Sequence, residues 1–277
     1  MAFVDRGGQR LYYQITDIAA PWVREPATLL FHHGIGAVSG IWADWVHALA
    51  DHYRIVRFDM RGYGRSDIPA ADFPWSIDLL ADDMLAVADA AGAERFHFVG
   101  ESIGGTIGLY TALKHPARFL SLTMSNAGHV GSSIQRVESW RRTMDERGMN
   151  GWSDDFMADR FHPGALSPER WDWYARQQAA DDRHAVLNAL AVLVGMDLSA
   201  DLPKVRPPVL ILHPDASPFI PVAVAAALHA GLPDAELHVI GHAKHGLPFS
   251  HASGCATILR GFLARRFADC PLEEHRR

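Results

Sequence analysis

Short runs of apolar and β-branched residues alternate with helix-like segments along this chain, and that alternation limits the possible folds more than any other feature. The longer runs cover residues 27–33, 53–59, 95–100, 119–125, 209–213 and 236–240. A parallel crossover between two strands needs a dozen or more residues, usually a helix. Strands separated by helices therefore predict an α/β protein with a mostly parallel sheet flanked by helices. Residues 2–5 and 11–16 flank a glycine-containing turn and predict an N-terminal hairpin.

The region between residues 130 and 200 departs from this alternation. The strand signal disappears there, and Trp140, Trp152 and Trp171 lie among charged residues. Amphipathic helices combine a charged face with a buried apolar one. We therefore predict a helical cap, residues 130–200, inserted between two late strands of a core made of residues 1–129 and 201–277. The cap is expected to cover the ends of the strands.

Composition excludes several classes of partner. The chain has 277 residues, of which 48% are hydrophobic, and a formal net charge of −6. Such a chain can bury one large core, and its acidity argues against a nucleic-acid or anionic-membrane surface. No apolar stretch is long enough to span a bilayer, and the first residues lack the basic-then-apolar pattern expected of a secretion signal. We interpret Cys255 and Cys270 as reduced thiols, and we expect a cytoplasmic monomer or homodimer acting on a small molecule.

Residues 100–104 read Gly-Glu-Ser-Ile-Gly and lie between a predicted strand and a predicted helix. In that context Gly-x-Ser-x-Gly is typical of a nucleophilic serine on a tight strand-to-helix turn, where glycines avoid collisions with neighbouring segments. Ser102 is then expected to project above the sheet at the positive end of the helix. The alternative, a glycine-rich turn with an idle serine, fits the flanking elements less well.

A serine nucleophile needs a base and donors for the oxyanion. His245 lies in the loop after the last predicted strand and is the expected base. His242 is the rival candidate, and otherwise a surface histidine or one that holds the loop. The backbone N–H of Ile103 begins a helix and is unpaired there. The second expected donor is the N–H of Ile35, in the glycine-containing loop after residues 27–33.

These motifs occur in the order found in the α/β-hydrolase superfamily, which the chain resembles over nearly its whole length. The resemblance is carried by HHGIG (32–36), FDMRGYGRSD (58–67), GESIGG (100–105) and the late loop histidine. The stretches IWADWVHALADHYRIVRFDMRGYGRSD, FVGESIGGTIG and LTMSNAGHVG are most similar to the 3-oxoadipate enol-lactonase group. This resemblance implies an α/β-hydrolase fold with a helical lid. It also implies a serine hydrolase without metal or cofactor, with Ser102 as nucleophile, His245 as base, and Ile35 and Ile103 as oxyanion donors.

The acid that should orient the histidine departs from the family pattern. Family spacing places it four residues before Pro221, where this chain has Ser217. Asp215 is the carboxylate in that loop, and we predict that it orients His245 and stabilises the histidine cation. Ser217 and Asn126 are neutral alternatives. A neutral partner would lower turnover without abolishing it, because the oxyanion donors still act.

The expected activity is cleavage of a small ester, lactone or amide through an acyl-enzyme, in the degradation of aromatic compounds. Trp140 and Arg141 of the predicted cap are candidate substrate-binding residues, and Arg160 is a further candidate cation. The same constellation could serve a carbon–carbon bond hydrolase of a ring-cleavage product, or the chain could be a non-catalytic small-molecule-binding protein. Dehalogenase and epoxide-hydrolase chemistry is disfavoured because Ser102, not an aspartate, stands at the nucleophile position.

Overall fold

The protein is built around one sheet of eight strands, seen in a computed structural model that describes residues 2–267. The strands are β1 (Ala2–Asp5), β2 (Arg10–Thr16), β3 (Thr28–His32), β4 (Arg54–Phe58), β5 (Phe96–Glu101), β6 (Phe119–Ser125), β7 (Val209–Pro214) and β8 (Ala235–Ile240). Their spatial order is β1-β2-β4-β3-β5-β6-β7-β8. The pairs β1–β2 and β2–β4 are antiparallel, and every later pair is parallel. The predicted hairpin and mostly parallel sheet are confirmed.

Helices connect the strands and cover both faces of the sheet. They are α1 (Ala43–Leu49), α2 (Ile77–Ala90), α3 (Ile103–Lys114), α4 (Val137–Arg160), α5 (Pro168–Ala179), α6 (Arg183–Val194), α7 (Val222–Gly231), α8 (Leu247–Ser250) and α9 (Ala252–Arg266). Local sequence sets several of their ends. The Ser76 hydroxyl accepts the Leu79 N–H at 3.1 Å at the start of α2, and Gly92 follows its end with φ of +69°.

Alternating side chains of the strands fill two separate cores. In β3, Leu30 packs into the core covered by α2, α3 and α4, whereas Leu29 and Phe31 pack into the core beneath α1 and α9. All three side chains are completely buried. Burying one such side chain contributes about 1.5–3 kcal/mol. A strand buried on both faces is typical of a parallel sheet between helical layers, which explains why its sequence is a continuous apolar run.

Helices α4, α5 and α6, called the inserted helices below, lie in the chain between β6 and β7, where the sequence predicts helices without strands. Helix α4 bends at Gly148, whose φ of 69° and ψ of −170° are not helical. Trp140 and Trp152 of α4 are buried in the same core as Ile107 of α3. The inserted helices therefore pack on the sheet layer through apolar contacts, and the division into core and cap at residues 130 and 200 stays a prediction.

Side chains of the loop after β4 hold it in place, and two further expectations concern the thiols and the membrane. In the loop, Asp59 accepts the N–H groups of Ser39 at 2.7 Å and Arg65 at 2.9 Å, while the Arg61 side chain pairs with a carboxylate of α2. Cys255 is a buried free thiol. Cys270 lies outside the described residues. Within residues 2–267 no helix combines the length and apolar character needed to cross a bilayer.

Candidate active site

The turn between β5 and α3 holds Ser102 in a strained conformation. Its φ is 53° and its ψ is −123°, a region that side chains other than glycine rarely adopt. A Cβ at Gly100 would lie 2.6 Å from the carbonyl carbon of Gly104, and one at Gly104 would lie 2.7 Å from the His32 carbonyl oxygen. Only glycine fits at either position. The turn therefore needs both glycines, and it leaves Ser102 only 8% exposed.

The loop after β8 brings His245 to this serine. The Nε2 atom of His245 lies 3.3 Å from the Ser102 Oγ, although the two residues belong to distant parts of the chain. Strands β5, β7 and β8 run parallel, so their carboxyl ends meet at one edge of the sheet. A hydroxyl within hydrogen-bonding reach of an imidazole is the arrangement that base-assisted nucleophilic attack requires.

The other ring nitrogen of His245 contacts a neutral group. Its Nδ1 lies 3.2 Å from the Ser217 Oγ, which also accepts the N–H of Ile220 at 3.2 Å. A carboxylate at this position can only accept a hydrogen bond, so it forces the proton onto Nδ1 and leaves Nε2 free to act as a base. A hydroxyl can donate or accept, and it selects that tautomer less strongly.

Asp215 does not make the contact predicted for it, and the expectation that it orients the imidazole of His245 is corrected here. Its carboxylate is exposed and accepts the N–H groups of His242 at 2.9 Å and Ala243 at 3.0 Å. These two bonds, that of Ala243 first, hold the pKa of the Asp215 carboxyl below its usual value. Asp215 thus fixes the backbone of the loop that carries His245. Asp215 directly follows β7, two residues before Ser217, and its carboxylate does not reach the imidazole from there.

Asn126, the other neutral candidate for orienting the base, and His242, the rival base, do not contact the imidazole of His245. The Asn126 side-chain N–H donates to the main-chain carbonyl of His245. The ring of His242 stacks on that of His162 with centroids 4.5 Å apart. His242 is exposed, so the structure brings His245, and not its rival, to Ser102.

Burial keeps the His245 imidazole neutral. Desolvation lowers its pKa well below 6.5, and the positive charge of Arg160 and electrostatic repulsion from His213 lower it further. The protonated form is lost as pH rises through the pKa, so the ring is neutral at pH 7. A neutral imidazole can accept a proton, as a general base must.

The candidate oxyanion donors belong to two segments that adjoin the nucleophile, the start of α3 and the loop after β3. Ile103 is the first residue of α3, where N–H groups have no partner within the helix. The loop carrying Ile35 runs directly beside the nucleophile, because a Cβ at Gly34 would lie 2.8 Å from that of Ser102. The Gly34 N–H donates to the Glu101 Oε2 at 2.7 Å.

Aromatic rings of the loop after β7 and of α4 lie near the imidazole. The Phe219 ring lies 4.8 Å from that of His245, and Trp140 packs against Phe219 at 5.4 Å and against Phe156 at 4.5 Å. Trp140 therefore contacts the two phenylalanine rings next to the base and not the imidazole of His245 itself. Arg141, predicted beside the substrate, is instead exposed on the surface of α4.

Comparison with known proteins identifies the family. The model of the alpha/beta hydrolase fold family matches residues 27–166. The chain belongs to this family. A relative from Agrobacterium fabrum, named "Putative carbamate hydrolase RutD", is 31% identical over 90% of this chain and 95% of its own length.

Two solved structures also match this α/β hydrolase. A Pseudomonas aeruginosa hydrolase has a TM-score of 0.84 at 24% identity, covering 95% of this chain and 97% of its own. The Burkholderia xenovorans enol-lactonase has a TM-score of 0.85 at 22% identity, covering 95% of this chain and 100% of its own.

These comparisons support an α/β hydrolase without naming its substrate. A structural likeness at 22% identity shows the shared fold alone, so the predicted kinship with the enol-lactonase group stays a prediction. The curated relatives carry a carbamate-hydrolase name instead.

Proposed function

We propose that the protein is a serine hydrolase that cleaves a small, uncharged ester, lactone, carbamate or amide through an acyl-enzyme. Ser102 attacks the carbonyl carbon while His245 takes the hydroxyl proton and passes it to the leaving group. Water then attacks the acyl-enzyme with the same imidazole as base. The N–H groups of Ile35 and Ile103 stabilise the oxyanion in both steps.

The observation that carries this proposal is the 3.3 Å separation between Ser102 Oγ and His245 Nε2. Strained backbone at Ser102 adds support, because a strained residue costs about 1–3 kcal/mol and is concentrated at functional sites. A protein that only binds small molecules would need neither the strained turn nor a neutral imidazole against the hydroxyl.

An uncharged substrate is proposed because the buried cation near the site is already engaged. Arg160 lies 3.2 Å from the Glu101 carboxylate and donates to Gln178 at 2.9 Å. Phe156 and Phe219 present apolar rings near the base. A substrate carboxylate in such surroundings would be desolvated without a partner, which is costly.

Activity on matched substrates, together with a serine-directed probe, tests the proposal. We expect wild-type protein to hydrolyse small neutral esters, lactones or carbamates at least about tenfold faster than analogues bearing a carboxylate, a difference of ~1.4 kcal/mol. A fluorophosphonate should label Ser102, as peptide mass spectrometry would reveal. Intact protein that binds the neutral compounds but neither turns them over nor reacts with the probe would support the binding-protein alternative.

The role assigned to Asp215 leads to a separate prediction. Asp215→Asn should lower kcat by only about two- to tenfold, because the asparagine oxygen still accepts one N–H of the β8 loop. An aspartate that orients a catalytic histidine is worth about 10⁴-fold. Steady-state kinetics on one neutral ester distinguishes the two, with Asp201→Asn as a control at a half-buried carboxylate that pairs with Lys204. A loss near 10⁴-fold in folded protein would restore Asp215 as the acid of the triad.

A further inference from the structure

Arg160, the last residue of α4, touches all three segments that carry the proposed reaction. Its Nη1 lies 3.2 Å from the Glu101 Oε1, immediately before the nucleophile, and its Nη2 donates to the Ile35 carbonyl. Its own main-chain carbonyl accepts the Gly246 N–H at 2.9 Å, immediately after the base. The side chain is completely buried. One residue of the inserted helices thus joins the nucleophile turn, the oxyanion loop and the base loop.

These contacts hold the peptide groups on both sides of the Ile35 N–H. The preceding peptide is held because the Gly34 N–H donates to Glu101 at 2.7 Å. The following peptide is held because the Ile35 carbonyl accepts from Arg160. The peptide between them carries the Ile35 N–H, and its Gly34 carbonyl oxygen lies 2.8 Å from the His33 Nδ1. The Glu101 and Arg160 contacts restrict the rotation of this peptide from both sides.

We propose that the buried Glu101–Arg160 pair is a positioning device that aims the Ile35 N–H at the oxyanion and makes this aim depend on the inserted helices. The inference rests on the proposed function, since it needs an oxyanion to form on Ser102. The guanidinium suits the task because its three nitrogens, spread over one plane, serve Gln178, Glu101 and Ile35 separately, whereas an ammonium donates from a single nitrogen.

The competing explanation is a buried ion pair that only stabilises the fold. Removing one partner alone would leave the other charged and buried, which is strongly destabilising, so single deletions are poor tests. The double variant Glu101→Gln/Arg160→Met removes both charges. It also leaves a glutamine oxygen to accept the Gly34 N–H, so that the main change at the oxyanion loop is the lost donor to Ile35.

We expect the double variant to lower kcat on a neutral ester by about 10- to 100-fold with KM changed less than about threefold. Loss of a whole oxyanion donor costs about 10²–10³-fold, and a misdirected donor should cost less. A boronic acid provides a second readout. The Ser102 oxygen bonds to boron, its proton passes to His245, and the anionic adduct occupies the oxyanion site. Its affinity should fall in parallel with kcat, while the affinity for the uncharged product alcohol stays unchanged.

Arg136→Met, which removes an exposed arginine immediately before α4 that pairs with Asp159, is the matched control and should behave as wild type. If the double variant does not fold, Arg160→Lys keeps a cation beside Glu101 and should show a smaller loss of the same kind. Wild-type kcat in either folded variant, or equal losses of boronate and product binding, would overturn the positioning role while Ser102 still reacts with a fluorophosphonate. A wild-type chain inert to both ester and probe would overturn the proposed function itself, and this inference with it.

Discussion

Replacing Ser102 with alanine is expected to lower kcat on neutral esters by at least about 100-fold. In a complete triad, loss of the serine costs roughly 10⁶-fold, whereas loss of the aspartate alone costs about 3 × 10⁴-fold. A serine and histidine that act without a carboxylate therefore still accelerate the reaction roughly 10²-fold. This acceleration is the smallest loss of kcat that we expect from Ser102→Ala. Steady-state kinetics on the ester that wild type turns over fastest measures the loss.

Ser132→Ala, at an exposed position before α4, is the matched control and should leave kcat unchanged. The thermal midpoint of Ser102→Ala should lie close to that of wild type, because alanine removes only the hydroxyl and keeps the Cβ that the turn already accommodates. Retention of wild-type activity in this folded variant would remove Ser102 from the mechanism.

Ser217→Asp is expected to raise kcat by about ten- to a thousandfold. The Ser217 Oγ already lies 3.2 Å from Nδ1 of His245 and accepts the N–H groups of Phe219 and Ile220. A carboxylate at this position would therefore find the imidazole and two backbone N–H donors within reach. A carboxylate there would force the productive tautomer and stabilise the imidazolium formed during attack. We expect a smaller gain in kcat than the roughly 10⁴-fold effect of a native triad aspartate, because the loop around position 217 is not shaped for a carboxylate.

The pH profile gives this variant a second readout. Burial lowers the pKa of His245 well below 6.5 in the wild type, so the acid limb of kcat/KM should lie below that pH. A neighbouring carboxylate favours the protonated imidazole and raises its pKa, which moves the acid limb to higher pH. Ser217→Asn, a neutral side chain of the same size, is the control and should show neither change. An aspartate variant with unchanged kcat and an unmoved acid limb would show that Ser217 does not neighbour the base in solution.

Much of the fold could be predicted because its signals are local. The strand at 95–100 and the helix starting at Ile103 follow from hydrophobic periodicity, and the two glycines around Ser102 follow from steric limits on one tight turn. The histidine was found in the same way, from its place after the last strand. None of these inferences required knowledge of a side chain elsewhere in the chain.

The group that contacts Nδ1 of His245 could not be predicted from local sequence patterns. Asp215 and Ser217 share one loop, and which of them reaches the ring depends on how β7 and β8 pair and on where the following loop runs. Family spacing did point to position 217, but the absence of a carboxylate there favoured Asp215. The role of Arg160 was equally hidden, and the sequence offered this residue only as a candidate cation for the substrate. Charged residues on an amphipathic helix usually face solvent, and the burial of Arg160 depends on Glu101, 59 residues away.

From sequence alone came the order of strands and helices, the nucleophile turn and the histidine after β8, because backbone sterics and hydrophobic periodicity act over a few neighbouring residues. Tertiary structure alone decided that a hydroxyl faces the imidazole, that Asp215 binds backbone, and that an arginine of α4 reaches the oxyanion loop. Those contacts join residues far apart in the chain, and a hydrogen bond or buried ion pair forms only where the packed sheet and helices bring its two partners within about 3 Å.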